Sequence, residues 1–237
     1  MNNIAIIPAR GGSKRIPRKN IRFFAGQPMI AYSIKAAIDC KLFSRIIVST
    51  DDNEIADIAM QHGAEVPFMR PKELADDHAT TDEVIVHALN ELLSLGEKSD
   101  YACCIYATAP FIHTEYLVKG FKTIQESNAI TAFTVTSFPY PILRALQLDK
   151  NNRLKMFWPE NRLTRSQDLP EAYHDAGQFY WLNTDKYLKQ PRIFSDDSSP
   201  ILLPRILVQD IDTSEDWEMA ENLFKILQQN VPFLKVS

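Results

Sequence analysis

Residues 8–22 carry Arg10, Lys14, Arg15, Arg18, Lys19 and Arg22 around the adjacent pair Gly11-Gly12. This set suits a small polyanion. Glycines let the backbone approach an anion closely, and consecutive amides can form a nest for it. Arg10, Lys14 and Lys19 add forked or mobile positive charge of the kind a triphosphate needs. Near the other end of the chain, Asp210-Ile211-Asp212 places two carboxylates on alternate residues. On an extended strand that spacing turns both to one face. Two carboxylates beside phosphate oxygens suit Mg²⁺, which takes a few carboxylates together with phosphate and water. Thr213 and Asp216 form a capping-box pattern for a following helix, which accounts for those two residues and leaves Asp210 unexplained. The glycine pattern is neither G-x-x-x-x-G-K-[ST] nor G-x-G-x-x-G, so ordinary P-loop and dinucleotide sites are disfavoured.

Positioning these groups requires a scaffold, and the hydrophobic pattern outlines one. Residues 3–8, 45–50, 101–106 and 130–136 are short apolar runs that suit buried parallel strands. Between them, helical spacing follows Pro28, and helices are predicted over 52–62, 81–95 and 115–126, with Gly63 and Gly96 as stops. Val66 and Phe68 suggest one more brief strand. The alternation predicts an α/β protein with a Rossmann-like open, mostly parallel sheet flanked by helices. The basic loop follows the first strand, where such sheets place ligands. The rhythm breaks at residues 139–173, which hold four prolines and many large side chains. This segment reads as an inserted arm within a single domain spanning 1–237. A strand at 178–182, a short helix at 184–188 and an amphipathic closing helix at 214–229 complete the outline.

The chain has 237 residues, with 26 Lys+Arg, 30 Asp+Glu and a net charge of -4, yet no acidic residue precedes Asp39. A local cationic loop on a mildly acidic protein argues for a small anionic ligand and against a nucleic-acid-coating surface. Hydrophobic residues at 45% and charged residues at 24% exclude a disordered chain. Three cysteines give no even disulfide set and no zinc pair. The apolar runs are too short for membrane spans and no leader pattern opens the chain, so the expected compartment is the cytoplasm.

The stretch Pro8-Ala9-Arg10 through Ser13-Lys14, Pro17 and Lys19-Asn20, followed by Gly26-Gln27-Pro28-Met29-Ile30, resembles the nucleotidyltransferases that make CMP-activated acid sugars. Their opening reads I-P-A-R-x-x-S-K-x-x-P-x-K-N, then G-x-P-[ML]-I. Asp210-Ile211-Asp212-Thr213 with Asp216 matches that family's D-[IV]-D-[TS]-x-x-[DE] signature, and Arg70-Pro71 with Leu74-Ala75 matches its R-P-x-x-L-A segment. The resemblance implies that Arg10, Ser13, Lys14 and Lys19 hold the phosphates of CTP, with Gly11 and Gly12 in the same loop. It implies that Asn20 contacts cytosine, that Arg70 and Thr81 help hold the nucleotide, and that Asp210 and Asp212 bind Mg²⁺. For Thr81, plain helix capping is the structural alternative; for Arg70, a surface salt bridge.

On the sugar side the chain departs from the sialic acid enzymes, which carry Q-P-T-S-P-x-R after the corresponding strand. Here the segment is Tyr106-Ala107-Thr108-Ala109-Pro110, with an aromatic ring in place of a sugar-facing amide. Together with residues 164–169, which include Arg165, and the run from Tyr173 and His174 through Gln178, Phe179 and Tyr180, this resembles the pseudaminic acid cytidylyltransferases. Tyr106, Thr108, Arg165, His174, Gln178, Phe179 and Tyr180 are then the candidate sugar-binding residues. The expected reaction joins CTP to an acidic nonulosonate and releases pyrophosphate. The resemblance further implies a homodimer formed through the arm and a role in surface glycans such as flagellin. N-acetylneuraminic, legionaminic and 3-deoxy-octulosonic acids are alternative substrates, and a non-catalytic CTP-binding regulatory module is the rival of a different class.

Overall fold

The first strand, β1 (Asn3–Pro8), is apolar on both sides because core lies on both sides of it. Ala5 and Ile7 enter one layer, Ile4 and Ile6 the other. The computed structural model describes residues 1–230. After β1 come a small ribbon of β2 (Phe23–Phe24) and β3 (Gln27–Pro28), then α1 (Met29–Asp39), β4 (Arg45–Ser49), α2 (Asn53–Gln61), α3 (Thr81–Ser94), β5 (Tyr101–Ile105), α4 (Thr114–Ser127) and β6 (Thr131–Ser137). The arm holds the hairpin β7 (Leu146–Leu148) and β8 (Leu154–Met156). It leads into β9 (Tyr173–Asn183), α5 (Thr184–Lys189), β10 (Ser198–Leu202) and α6 (Ser214–Asn230).

The main sheet has the order β10-β6-β9-β5-β1-β4. β9 runs antiparallel to both of its neighbours and the remaining pairs are parallel, so the sheet is mixed but mostly parallel, as expected. Ile34 of α1, Ile55 of α2 and Leu117 of α4 build one core layer, and Ile85 of α3 with Tyr187 of α5 build the other. A third cluster forms where α6 meets the loops: Trp217 and Phe224 pack with Ile16, Phe24 and Ile211. That cluster draws the start and the end of the chain together.

Two sequence expectations need correction, and one strand has no counterpart among them. Residues 66–68 form no strand; the segment contributes one parallel bridge, Ile47 to Glu65, and Pro67 offers no N–H for a ladder. The strand expected at 178–182 begins at Tyr173 and contains a bulge. Its pairing passes from Phe133–Tyr180 to Val135–Asp175, and Gly177 takes the left-handed conformation with φ +61°. β10 was hidden because Ser198-Ser199-Pro200 reads as a turn, whereas an edge strand tolerates proline. The arm contributes no buried residue to the core and leaves Tyr140 80%, Leu148 63% and Leu163 87% exposed.

Candidate active site

From β1 the chain crosses to β4 on one side and later to β5 on the other, so the loops leaving β1 and β5 open a crevice at the carboxyl edge of the sheet. The basic loop after β1 is fixed at three points. Ile16 is fully buried against α6. Arg18, at φ +57°, makes a two-pronged pair with Asp52 at 2.6 and 2.9 Å and reaches Glu54 at 2.5 Å. Asn20 donates from Nδ2 to the Arg10 carbonyl at 2.9 Å. Arg18 is therefore a staple between the loop and α2, and its hydrogen bond holds the Asp52 carboxyl at about 2.

Half of the anion nest that the glycine pair suggests is already occupied. The Gly11 amide already donates to Asp51 Oδ1 at 2.9 Å, and a Cβ there would lie 2.8 Å from Asp52 Oδ2. Gly11 is required by close packing on the Asp51-Asp52 turn. A Cβ on Gly12 would meet no atom within 4 Å.

Beyond the loop lies a cleft of about 540 Å³. Arg10, Lys14, Arg15, Lys19 and Arg70 line it against the single carboxylate of Asp77, and Ser13, Asn20 and Thr81 share its wall. Asp77 sits 2.9 Å from Arg10 Nη2 and 2.5 Å from Lys14 Nζ, and its carboxyl is held below the ordinary range chiefly by the Lys14 hydrogen bond. Arg70 is 5% exposed and donates to the Ser49 and Leu74 carbonyls, while its Nε has no partner among the described residues. Burial lowers its pKa to about 10, so it stays charged at neutral pH. It forms no surface salt bridge among the described residues. At the head of α3, Thr80 and Glu83 make a capping box, which leaves Thr81 Oγ1 free to meet the Tyr106 hydroxyl at 2.9 Å.

A second cleft of about 590 Å³ adjoins the first, and Tyr106 and Thr108 line both. Its other walls are His174 to Gly177, from the bulged start of β9, and Val208 to Asp210. Because β9 is antiparallel, its beginning lies at the carboxyl ends of the parallel strands. His174 also borders a recess with Arg205, and its ring packs 4.8 Å from Phe138.

Asp210 and Asp212 do not lie on a strand; residues 208–213 are irregular. Asp212 pairs with Arg15 at 2.8 Å and Lys19 at 3.4 Å, and Lys19 also donates to the Ile211 carbonyl at 2.8 Å. The exposed Asp210 carboxylate has no partner among the described residues. Asp216 caps α6 through Thr213, as its spacing suggested. No group of three or more acidic, His or Cys side chains forms a metal cage among the described residues. Asp212 reaches the cationic cleft through Arg15 and Lys19, while Asp210 lines the adjoining cleft; as hard oxygen donors the two suit a magnesium ion that draws its remaining ligands from phosphate and water.

Some expected sugar-binding residues lie elsewhere. Phe179 is fully buried in the layer under α4, because alternation along β9 sends it to the face opposite Tyr180. Arg165 is on the arm, paired with Asp168 at 2.7 Å, and borders none of these clefts. Gln178 is 4% exposed and spends its amide on the Leu207 carbonyl at 2.6 Å, bracing the 205–207 turn. Tyr180 is 1% exposed and stands behind Tyr106, with ring centroids 5.2 Å apart. Asp77, Asp175 and Gln209 line the clefts without having been singled out. For Asp77 the only sequence signal was its place two residues after the R-P-x-x-L-A segment.

Comparison with known proteins fits this geometry. Residues 4–235 match a family model described as cytidylyltransferase. A pseudaminic acid cytidylyltransferase of Campylobacter jejuni is 45% identical over 95% of this chain and 97% of its own. A CMP-N,N'-diacetyllegionaminic acid synthase of Legionella pneumophila is 32% identical over 97% of this chain and 99% of its own. Among solved structures, a CMP:2-keto-3-deoxy-manno-octonic acid synthetase complexed with CTP superposes with a TM-score of 0.68 at 16% identity, covering 95% of this chain and 99% of the other. No helix among the described residues is long and apolar enough to cross a membrane.

Proposed function

Since the chain belongs to the cytidylyltransferase family, we propose that it transfers CMP from CTP to the anomeric hydroxyl of an acidic nonulosonate, pseudaminic acid in particular. The observation that carries this reading is the continuity of the two clefts through Tyr106 and Thr108. A triphosphate in the cationic cleft and a sugar in its neighbour bring the two reacting groups to one boundary.

In the reaction, the anomeric oxygen forms a bond to the α-phosphorus in line with the departing β-phosphate, the α–β bridge breaks to release pyrophosphate, and the hydroxyl proton passes to solvent water. Little covalent work falls to the protein; alignment and charge neutralisation carry the rate. Arg10, Lys14 and Lys19 neutralise the charge that grows on the leaving pyrophosphate. Arg70, buried and charged with Nε unspent, is suited to an acceptor on the nucleotide. Pro8, Ala79, Val84 and Ala107 offer an apolar seat for a flat base. Asp210 and Asp212 would hold Mg²⁺, whose contribution when bound is to neutralise phosphate oxygens. Asp212 pairs with Arg15 and Lys19 in the ligand-free chain, so binding the ion there requires those cations to turn to the phosphates.

The arm's exposed apolar side chains support a homodimer, with the arm as its interface. The product would supply a glycosyltransfer step such as flagellin modification. The test is pyrophosphate release from CTP with pseudaminic acid, against N-acetylneuraminic, legionaminic and 3-deoxy-octulosonic acids. The highest kcat/KM is expected with pseudaminic acid. A higher value with another acid reassigns the sugar, and CTP binding without release from any of them leaves a nucleotide-binding module.

A further inference from the structure

The two joined clefts differ in the sign of their charge. Five cations face Asp77 in the first, whereas the second has Asp175 and Asp210 with only His174 beside them. If Asp210 serves the phosphate side, Asp175 is the carboxylate that remains against the sugar. Its position is built by the fold. The β9 bulge turns Asp175 into the cleft, the Gly177 amide donates to its Oδ1 at 3.0 Å, and the Tyr180 hydroxyl donates to its Oδ2 at 2.6 Å. Burial pushes the Tyr180 phenol far above its ordinary pKa, which keeps it a donor. Tyr180 interacts in turn with Tyr106, and Tyr106 with Thr81 in the nucleotide cleft. Each Asp175 oxygen therefore has one firm partner and a second lone pair to offer.

We infer that Asp175 is a specificity-determining residue for the acid sugar: it accepts a hydrogen bond from an N–H or O–H on the sugar's uncharged tail and repels the sugar's carboxylate toward the cationic cleft. This rests on the function proposed above. The anomeric carbon adjoins that carboxylate, so the orientation imposed by Asp175 also presents the attacking oxygen to the α-phosphate. A sugar bound the other way round would set its carboxylate against Asp175, like charge against like charge.

The test is steady-state kinetics of the full chain with CTP and pseudaminic acid. Asp175→Asn is expected to raise the KM for the sugar about 10- to 100-fold, the range for a hydrogen bond to a charged group, with the KM for CTP unchanged. Tyr180→Phe, which keeps the ring packing and removes the donor to Asp175, is expected to move the sugar KM in the same direction by less. A sugar KM unchanged in Asp175→Asn, while the wild type turns over, overturns the inference and leaves the function standing. Should Asp175→Asn fail to fold, an unchanged sugar KM in Tyr180→Phe overturns it instead. If Arg205→Ala costs more sugar affinity than Asp175→Asn, the carboxylate sits at Arg205 and the orientation is wrong. No turnover by the wild type with any acidic nonulosonate removes both the function and the inference.

Discussion

Lys19 and Asp212 are 193 positions apart in the chain, yet Lys19 Nζ lies 3.4 Å from the Asp212 carboxylate and 2.8 Å from the Ile211 carbonyl. Magnitudes show what holds them there. A partly exposed ion pair contributes about 0–1 kcal/mol. Burial of each of Ile16 and Ile211 in the α6 cluster contributes about 1.5–3 kcal/mol. Arg22 adds a cation–π contact, 4.7 Å above Trp217. The apolar cluster therefore joins the basic loop to the acidic segment, and the charges select the geometry within it.

Lys14 has the most exposed side chain among the loop cations that line the first cleft and, once released by Asp77, can follow the leaving group. Lys14→Ala is expected to lower kcat by roughly 10²–10³, the scale of one preorganised charge-stabilising donor. Near-normal turnover by folded protein removes Lys14 from the catalytic set.

Asp77 occupies Arg10 and Lys14, the groups a triphosphate needs. Asp77→Asn is expected to tighten CTP binding by a few-fold, the worth of an exposed pair that no longer has to be broken. Isothermal titration measures it. Weaker binding would make Asp77 a contributor to the nucleotide complex and not a competitor.

The glycines are expected to behave differently. Gly11→Ala forces a Cβ against Asp52 and shifts the loop, so CTP affinity should fall; Gly12→Ala meets open space and should leave affinity near wild type. Loss of affinity in Gly12→Ala would place a phosphate against that backbone.

Asp52 couples the loop to acid stability. It caps α2 by accepting from the Ile55 amide at 3.0 Å and is held at about 2, against an ordinary 3.8, first by the Arg18 hydrogen bond. A depressed carboxyl stabilises the fold above its unfolded pKa and loses that stabilisation as pH falls toward the folded value. Asp52→Ala is expected to cost about 1–2 kcal/mol at neutral pH. In urea titrations the difference from wild type should shrink between pH 4 and 2, the window of those two values. A difference independent of pH across that window contradicts the ion-pair account.

Asp212→Asn removes one carboxylate that suits Mg²⁺ and the partner of Arg15 and Lys19. Activity should drop and the magnesium titration should shift to higher concentration together. An unchanged titration midpoint with lowered activity assigns Asp212 to positioning Lys19 alone.

The fold was legible where a residue's neighbours are dictated by sequence periodicity. The continuous apolar run of β1 and the helical spacing of α1 to α4 announced a mostly parallel sheet, and loop position announced the site's edge. Pairing partners were not legible. β9 and β10 meet β6 through contacts between distant parts of the chain, and the Gly177 bulge depends on that pairing. Without the bulge, Asp175 cannot be read as a cleft residue. Phe179 and Tyr180 are both aromatic and both buried, and only the register shows that one faces the layer under α4 and the other the opposite layer, behind Tyr106.

The central claim is that one nucleotide is gripped between the loop after β1 and the segment before α6. A crystal structure of the chain with CTP tests it most directly. The triphosphate is expected within hydrogen-bond reach of Arg10, Lys14 and Lys19, with Asp77 released from Lys14 and the α-phosphate turned toward Tyr106 and Thr108. CTP bound elsewhere, or bound with its phosphates pointing away from Lys19 and Asp212, would contradict the account.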